Sequence, residues 1–226
     1  MAMDTTVSGH SPAAAILARL DRLPATRHVW QLVAVISLGG MFELYDLFMT
    51  AYVIPGLVKE GLGNDGAVGR ICAWPSLFVA ATFTGLVIGT FVFGYVADKY
   101  GRRTIFTYSM LWYSVATFIM AFQHSGTGVC LWRLIAGVGI GVELVTIDTF
   151  VAELVPRHLR GRAFAFNQTV QFCIVPVVAF IAYMLVPQAP FGYTGWRWVV
   201  LIGSLGAIAV WFIRRGVPES PRWLIN

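Results

Sequence analysis

Long apolar runs in this sequence hold a small set of ionisable residues whose chemistry is at odds with their surroundings: Glu43 and Asp46 in one run, and Arg133, Glu143 and Asp148 in another. Glu43 and Asp46 are three residues apart, so on a helix their carboxyls share one face and lie about 4.5 Å apart along the axis. Two carboxyls in apolar surroundings can bind and release a proton, and an ionisable group inside a membrane span is by default a functional candidate. Arg133 supplies a fixed positive charge that can partner a carboxylate or an anionic substrate. A purely structural ion pair between helix 1 and Arg133 would account for only one of the two helix-1 acids. His10, His28, His124 and His158 have no ligating neighbour at i+3 or i+4, and Cys72, Cys130 and Cys173 show no paired spacing. Neither a metal site, a cofactor nor a catalytic nucleophile is therefore expected. No glycine loop followed by Lys-Ser or Lys-Thr is present, which argues against nucleotide-driven work.

The elements that must position these residues follow from composition. Of 226 residues, 58% are hydrophobic and 12% charged, about half the charge of an ordinary soluble domain. With a mean hydropathy of +0.72, the chain reads as a polytopic all-α membrane protein. Six spans are expected, over about 29–57, 71–97, 104–122, 129–154, 164–186 and 196–213. Ahead of them, Ser11-Pro12 and the spacing of Ile16, Leu17, Leu20 and Leu23 predict a short amphipathic helix within an N-terminal segment 1–28. Residues 29–213 form the bundle and 214–226 follow it. With the N-terminus cytoplasmic, Lys99, Arg102, Arg103, Arg157, Arg160 and Arg162 all fall in inside loops, and only Lys59, Arg70, Arg133 and Arg197 of the 16 basic residues do not. That bias sets both termini on the cytoplasmic side. The net charge of +5 is thus a topology signal, not a nucleic-acid patch. Gly85, Gly89 and Gly94 in span 2 and Gly137 and Gly141 in span 4 are spaced for close helix packing, while Trp30, Trp112, Trp196 and Trp198 read as an interfacial belt.

Four motifs make the pattern specific. Gly94-Tyr95-Val96-Ala97-Asp98-Lys99-Tyr100-Gly101-Arg102-Arg103, between spans 2 and 3, resembles the G-x-x-x-D-[RK]-x-G-R-[RK] signature of the major facilitator superfamily. Arg133, Gly137, Gly139 and Gly141 are similar to the R-x-x-x-G-x-G-x-G pattern of its sugar-porter-like branch. Glu153, Pro156, Arg160 and Gly161 resemble the loop E-x-x-P-x-x-x-R-G, and Pro218-Glu219-Ser220-Pro221-Arg222-Trp223-Leu224 resembles P-E-S-P-R-[WF]-L after span 6. Asp46, in Leu44-Tyr45-Asp46, matches the helix-1 aspartate of the branch, with Pro55 nine residues on as in its aromatic-acid:proton symporters. Glu43 and Leu44 depart from the D-G-x-D form found there.

The resemblance implies the N-terminal six-helix half of a fold whose two halves rock about a central site. It implies proton coupling or substrate binding at Asp46, with Glu43 in place of the branch's first acid, and a substrate contact from Gln168, with Gln171 three residues on and nearly on the same face; Arg133 and Glu143 join the coupling or substrate site as charged groups inside a span. It further implies conformational gating through Asp98 with Arg102 and Arg103, and Glu153 with Arg160, the network to which Asp148 is assigned. The chain reaches about the start of the family's central cytoplasmic loop, so a second six-helix half is expected, in the same polypeptide or in another chain. The expected function is not enzymatic: secondary transport of a small polar metabolite, a sugar or an organic or aromatic acid, with protons, in the plasma membrane. A facilitative sugar uniporter would instead ignore a pH gradient, and a non-transporting membrane receptor or assembly partner would show no substrate-dependent uptake.

Overall fold

The computed structural model describes residues 24, 26–62, 74–100 and 102–214, apart from the side chains of Ala97, Asp98, Tyr100, Arg102, Arg103, Phe106 and Arg214. The expected N-terminal amphipathic helix, Ile71 at the start of span 2, and Pro218–Leu224 lie outside the described residues. The helices are α1 Arg27–Lys59, α2 Trp74–Tyr100, α3 Arg102–Met120, α4 Gly126–Leu154, α5 Arg160–Phe172, α6 Ile174–Leu185 and α7 Gly195–Arg214. The segments are helical because in an apolar medium each backbone N–H and C=O must find its partner within the segment, and α5 and α6 together make one span. Among the described residues, five stretches are long and apolar enough to cross a membrane: Arg27–Lys59, Trp74–Val96, Gly126–Leu154, Arg157–Leu185 and Gly195–Ile213. The third expected span is the sixth helix of the bundle, α3, where Thr104, Thr107, Ser109, Ser114 and Thr117 lower the hydropathy.

Local chemistry sets the boundaries. Thr26 Oγ1 caps α1 by accepting from the Val29 N–H (3.4 Å), and Ser125 Oγ caps α4 by accepting from the Gly128 N–H (3.1 Å). Gly61, at φ +76°, lets the chain leave α1 in the left-handed region. Span 5 is broken at Cys173 into α5 and α6. Pro176 has no N–H to give the carbonyl of Phe172, so the helical ladder is interrupted there.

Packing follows the small residues. A Cβ on Gly85 would run into the backbone of Leu134, Gly137 and Val138, one on Gly89 into Val138, and one on Gly141 into Leu86, so α2 and α4 meet backbone to backbone. Gly94 has nothing within 4 Å of such a Cβ, and the close-packing expectation fails at that position. Helix α1 occupies the centre, against α4, α5, α6 and α7, and α3 packs between α4 and α7. Tyr45 on α1 lies over Gly203 of α7 and donates from its hydroxyl to Val199 O (2.7 Å). One apolar cluster joins Val33 and Ile36 to Ile147, Phe150 and Leu154, and another joins Leu57 to Trp74, Trp196 and Val199 at the opposite end. Val87, Phe91 and Tyr95 of α2 are exposed apolar side chains, and so are Phe172, Phe180 and Tyr183 of span 5.

Candidate functional site

Four helices converge on Arg133. Its Nη1 donates to Asp46 Oδ2 at 2.7 Å, its Nη2 to the main-chain oxygen of Asp46 at 2.8 Å and to Thr50 Oγ1 at 2.5 Å, and its Nε to Thr82 Oγ1 at 3.0 Å. From α3, Thr117 Oγ1 donates to the other carboxylate oxygen, Asp46 Oδ1, at 3.2 Å. Each position follows from helix geometry: Asp46 and Thr50 stand one turn apart on α1, and the glycines of α2 and α4 bring Thr82 within reach of Arg133. The ring of Phe78 lies 5.9 Å from the guanidinium carbon. Arg133 is 0% and Asp46 3% exposed. A charge pair so deep is tolerated because four of the five guanidinium N–H groups and both carboxylate oxygens are hydrogen-bonded.

Glu43 and Glu143 are equally buried, at 1% and 0% exposure. Among the described residues, Glu43, Asp46 and Glu143 are thus three buried acids on the helices that carry and contact Arg133. Asp148, in contrast, lies exposed on α4.

The two glutamines separate. Gln171 is buried against α1, where its side chain lies over Gly40 and its Nε2 donates to Asn167 Oδ1 (3.0 Å), whereas Gln168 is exposed. Residues three apart on a helix still differ by about 60° in direction, enough to put one on the packed face and the other outside it. Glu153 lies in the last turn of α4 and Arg160 opens α5, donating from Nε to Val155 O (3.4 Å). The side chains of Asp98, Arg102 and Arg103 fall outside the described residues.

A second charged cluster stands at the end where α1 finishes and α7 begins, and sequence reasoning missed it. Arg197 Nη2 donates to Glu60 Oε1 (2.7 Å) and its Nη1 to Ala121 O (2.6 Å), while Trp196 Nε1 (2.5 Å) and Thr194 Oγ1 (2.9 Å) both donate to Glu60 Oε2. Burial pushes the Glu60 carboxyl up, but the hydrogen bonds from Arg197, Trp196 and Thr194 outweigh it and hold the group below its ordinary value. Trp196 is fully buried in this cluster and Trp112 sits mid-helix, donating to Ile135 O (2.9 Å), so neither belongs to the expected interfacial belt. Residues at helix ends carry little periodic signal, and nothing in the spacing of Glu60, which caps α1, and Arg197, in the first turn of α7, says that these ends meet.

Six helices packed in this order, with an arginine–carboxylate pair buried between the first and fourth spans, define one half of a major facilitator transporter. The chain belongs to the sugar (and other) transporter family, whose model matches residues 32–226. It is similar to the niacin transporter NiaP of Acinetobacter baylyi, with 33% identity over 93% of this chain and 45% of that protein. The arabinose-proton symporter of Bacillus subtilis is 26% identical over 89% of this chain and 44% of its own length. In fold the chain matches the proton:xylose symporter XylE bound to 6-bromo-6-deoxy-D-glucose, with a TM-score of 0.77, 22% identity, and coverage of 87% of this chain and 46% of that one. The inward open conformation of XylE from E. coli matches with a TM-score of 0.76 at 22% identity, over 88% of this chain and 50% of that one. The chain thus spans about half the length of the relatives it matches. These relatives are transporters, not enzymes, and the apolar helices make this chain an integral membrane protein.

Proposed function

We propose that the chain is the N-terminal half of a secondary transporter that moves a small polar metabolite, a sugar or an organic or aromatic acid, together with protons by alternating access. The observation that carries this reading is the Asp46–Arg133 pair, sealed in the middle of the bundle and bonded on both carboxylate oxygens. A carboxyl so placed exchanges its proton only when a conformational change opens a path to it, which is what coupling of proton binding to alternating access requires. Glu43 and Glu143 are further proton-accepting or substrate-facing groups, and Gln168, on the exposed side of α5, is the substrate contact, with Gln171 behind it. The exposed apolar side chains of α2 and span 5 belong to the face for a second six-helix half. Asp98, Arg102, Arg103, Glu153 and Arg160 form the cytoplasmic gate, with both ends of the bundle segment cytoplasmic and the plasma membrane as its site.

The test uses proteoliposomes carrying the protein expressed from its whole reading frame, with niacin, xylose, arabinose and myo-inositol as probes. An imposed inward pH gradient should drive uphill uptake of at least one of them, and Asp46→Asn should abolish that accumulation while leaving exchange measurable. Accumulation by Asp46→Asn at the native rate would remove Asp46 from the coupling role. Uptake that ignores the gradient would support the uniporter, and no uptake of any probe would favour a non-transporting receptor.

A further inference from the structure

Of the four hydrogen bonds that Arg133 donates, one ends on the Asp46 carboxylate, and the others end on Thr82 Oγ1, Thr50 Oγ1 and the Asp46 main-chain oxygen. A hydroxyl has one proton to give and lone pairs with which to accept. Thr82 directs its proton to Phe78 O (3.0 Å), and Thr50 directs its own to Asp46 O (3.3 Å), the carbonyl one turn back in each case. Their lone pairs are thereby turned toward the guanidinium. None of these three acceptors changes when the Asp46 side chain takes up a proton. Thr117 behaves differently, because its hydroxyl donates to Asp46 Oδ1 and so belongs to the carboxylate, not to the arginine.

We propose that Thr50 and Thr82 are positioning residues of the coupling site, holding the Arg133 guanidinium in place whether the Asp46 side chain is ionised or protonated. This rests on the reading of Asp46 as the coupling acid. A buried guanidinium that loses its carboxylate keeps the full cost of its desolvation. Glu43, one turn from Asp46 on the same helix and likewise buried, is a second carboxyl toward which the guanidinium could turn. An arginine free to do so would leave Asp46 with no partner to return to, and the site could not reset. Held by a hydroxyl from α1, a hydroxyl from α2 and a main-chain carbonyl, with the Phe78 ring beside it, Arg133 stays while the proton comes and goes. The same bonds keep α1, α2 and α4 joined in both protonation states, so the half can move as one body.

The experiment is a stability cycle that does not depend on transport, so it can fail or succeed separately from the coupling reading. The protein from its whole reading frame is purified in detergent, and the loss of apparent melting temperature caused by Asp46→Asn is measured in three backgrounds at one pH. These are the native protein, Thr50→Val with Thr82→Val, and Thr50→Ser with Thr82→Ser. The loss in the valine background should be at least about twice that in the native one, because the guanidinium then has neither its charge partner nor its hydroxyls. The serine background keeps both hydroxyls and should return the loss to native size. Should the double valine variant not fold, Thr82→Val and Thr82→Ser alone carry the same comparison. An equal loss in the valine and native backgrounds, or serine behaving as valine does, would overturn the proposal.

Discussion

Two arginine–carboxylate pairs among the described residues, both 2.7 Å long, do different work. Arg133 and Asp46 sit mid-bundle with side chains 0% and 4% exposed. Arg197 and Glu60 sit where α1 ends and α7 begins, at 6% and 23%. The inner pair is walled by threonine hydroxyls and the Phe78 ring, whereas the outer one ties three helix ends together through Glu60 and the carbonyl of Ala121. What separates them is the medium. Near the bundle end water can reach the carboxylate and replace a lost partner, so the outer pair acts as a fastening. In the middle no replacement exists, and the pair is stable only as a closed set.

The largest expected effect tests that difference directly. Arg133→Met leaves the Asp46 carboxylate buried and unpaired, and should lower stability by about 3–5 kcal/mol, read as apparent melting temperature or as loss of folded protein in the membrane. Arg197→Met should cost far less, and equal losses would break the comparison. Combining Arg133→Met with Asp46→Leu should recover much of the lost stability, since a buried ion pair replaced by apolar side chains is often neutral or better. Proton-driven uptake should stay absent in that double variant. If the double variant is no more stable than Arg133→Met alone, the inner pair is held by more than its own electrostatics.

A smaller effect is expected from Thr117→Val, which removes one hydrogen bond to a buried carboxylate at constant shape and should cost about 1.5–3 kcal/mol. Smaller again, Arg197→Gln should cost about 1 kcal/mol, as befits a partly solvated pair, and leave transport intact. The least effect is one of pH. The folded-state value of Glu60 is held below its ordinary 4.5, so the stabilisation it supplies is fully present above that value and is lost as pH falls through the lowered one. Melting curves of Glu60→Gln should therefore lack that part of the acid limb. An unchanged acid limb would show that the outer cluster does not depend on the Glu60 charge.

Much of this was legible in the sequence, and the reasons differ by residue. Long apolar runs can only be helices in a medium without water, which is why six helices were expected and the ends of α1, α4 and α7 fall within a few residues of expectation. An acid in such a run stands out wherever it lies, and that singled out Glu43, Asp46 and Glu143 without any knowledge of their neighbours. The spacing of Gly85, Gly89, Gly137 and Gly141 announced faces for close helix packing, and only the structure shows that these faces meet each other, α2 against α4.

Which groups complete a buried charge is a different kind of information. Thr50, Thr82 and Thr117 are ordinary helix hydroxyls in the sequence, and only the crossing of α1, α2 and α3 against α4 turns them toward Arg133 and Asp46. Glu60 and Arg197 stand 137 residues apart, at the end of α1 and the start of α7, and nothing in that separation records their meeting. The separation of Gln168 from Gln171 turns on a rotation of about 60° about one helix axis, which periodicity places no more finely than a face. The sequence by itself determined where helices form and which charges they must enclose, because both follow from the cost of leaving polar groups in an apolar medium. The tertiary structure alone decided the partners of those charges, because hydrogen bonds act over about 3 Å and only packed helices settle distances that small.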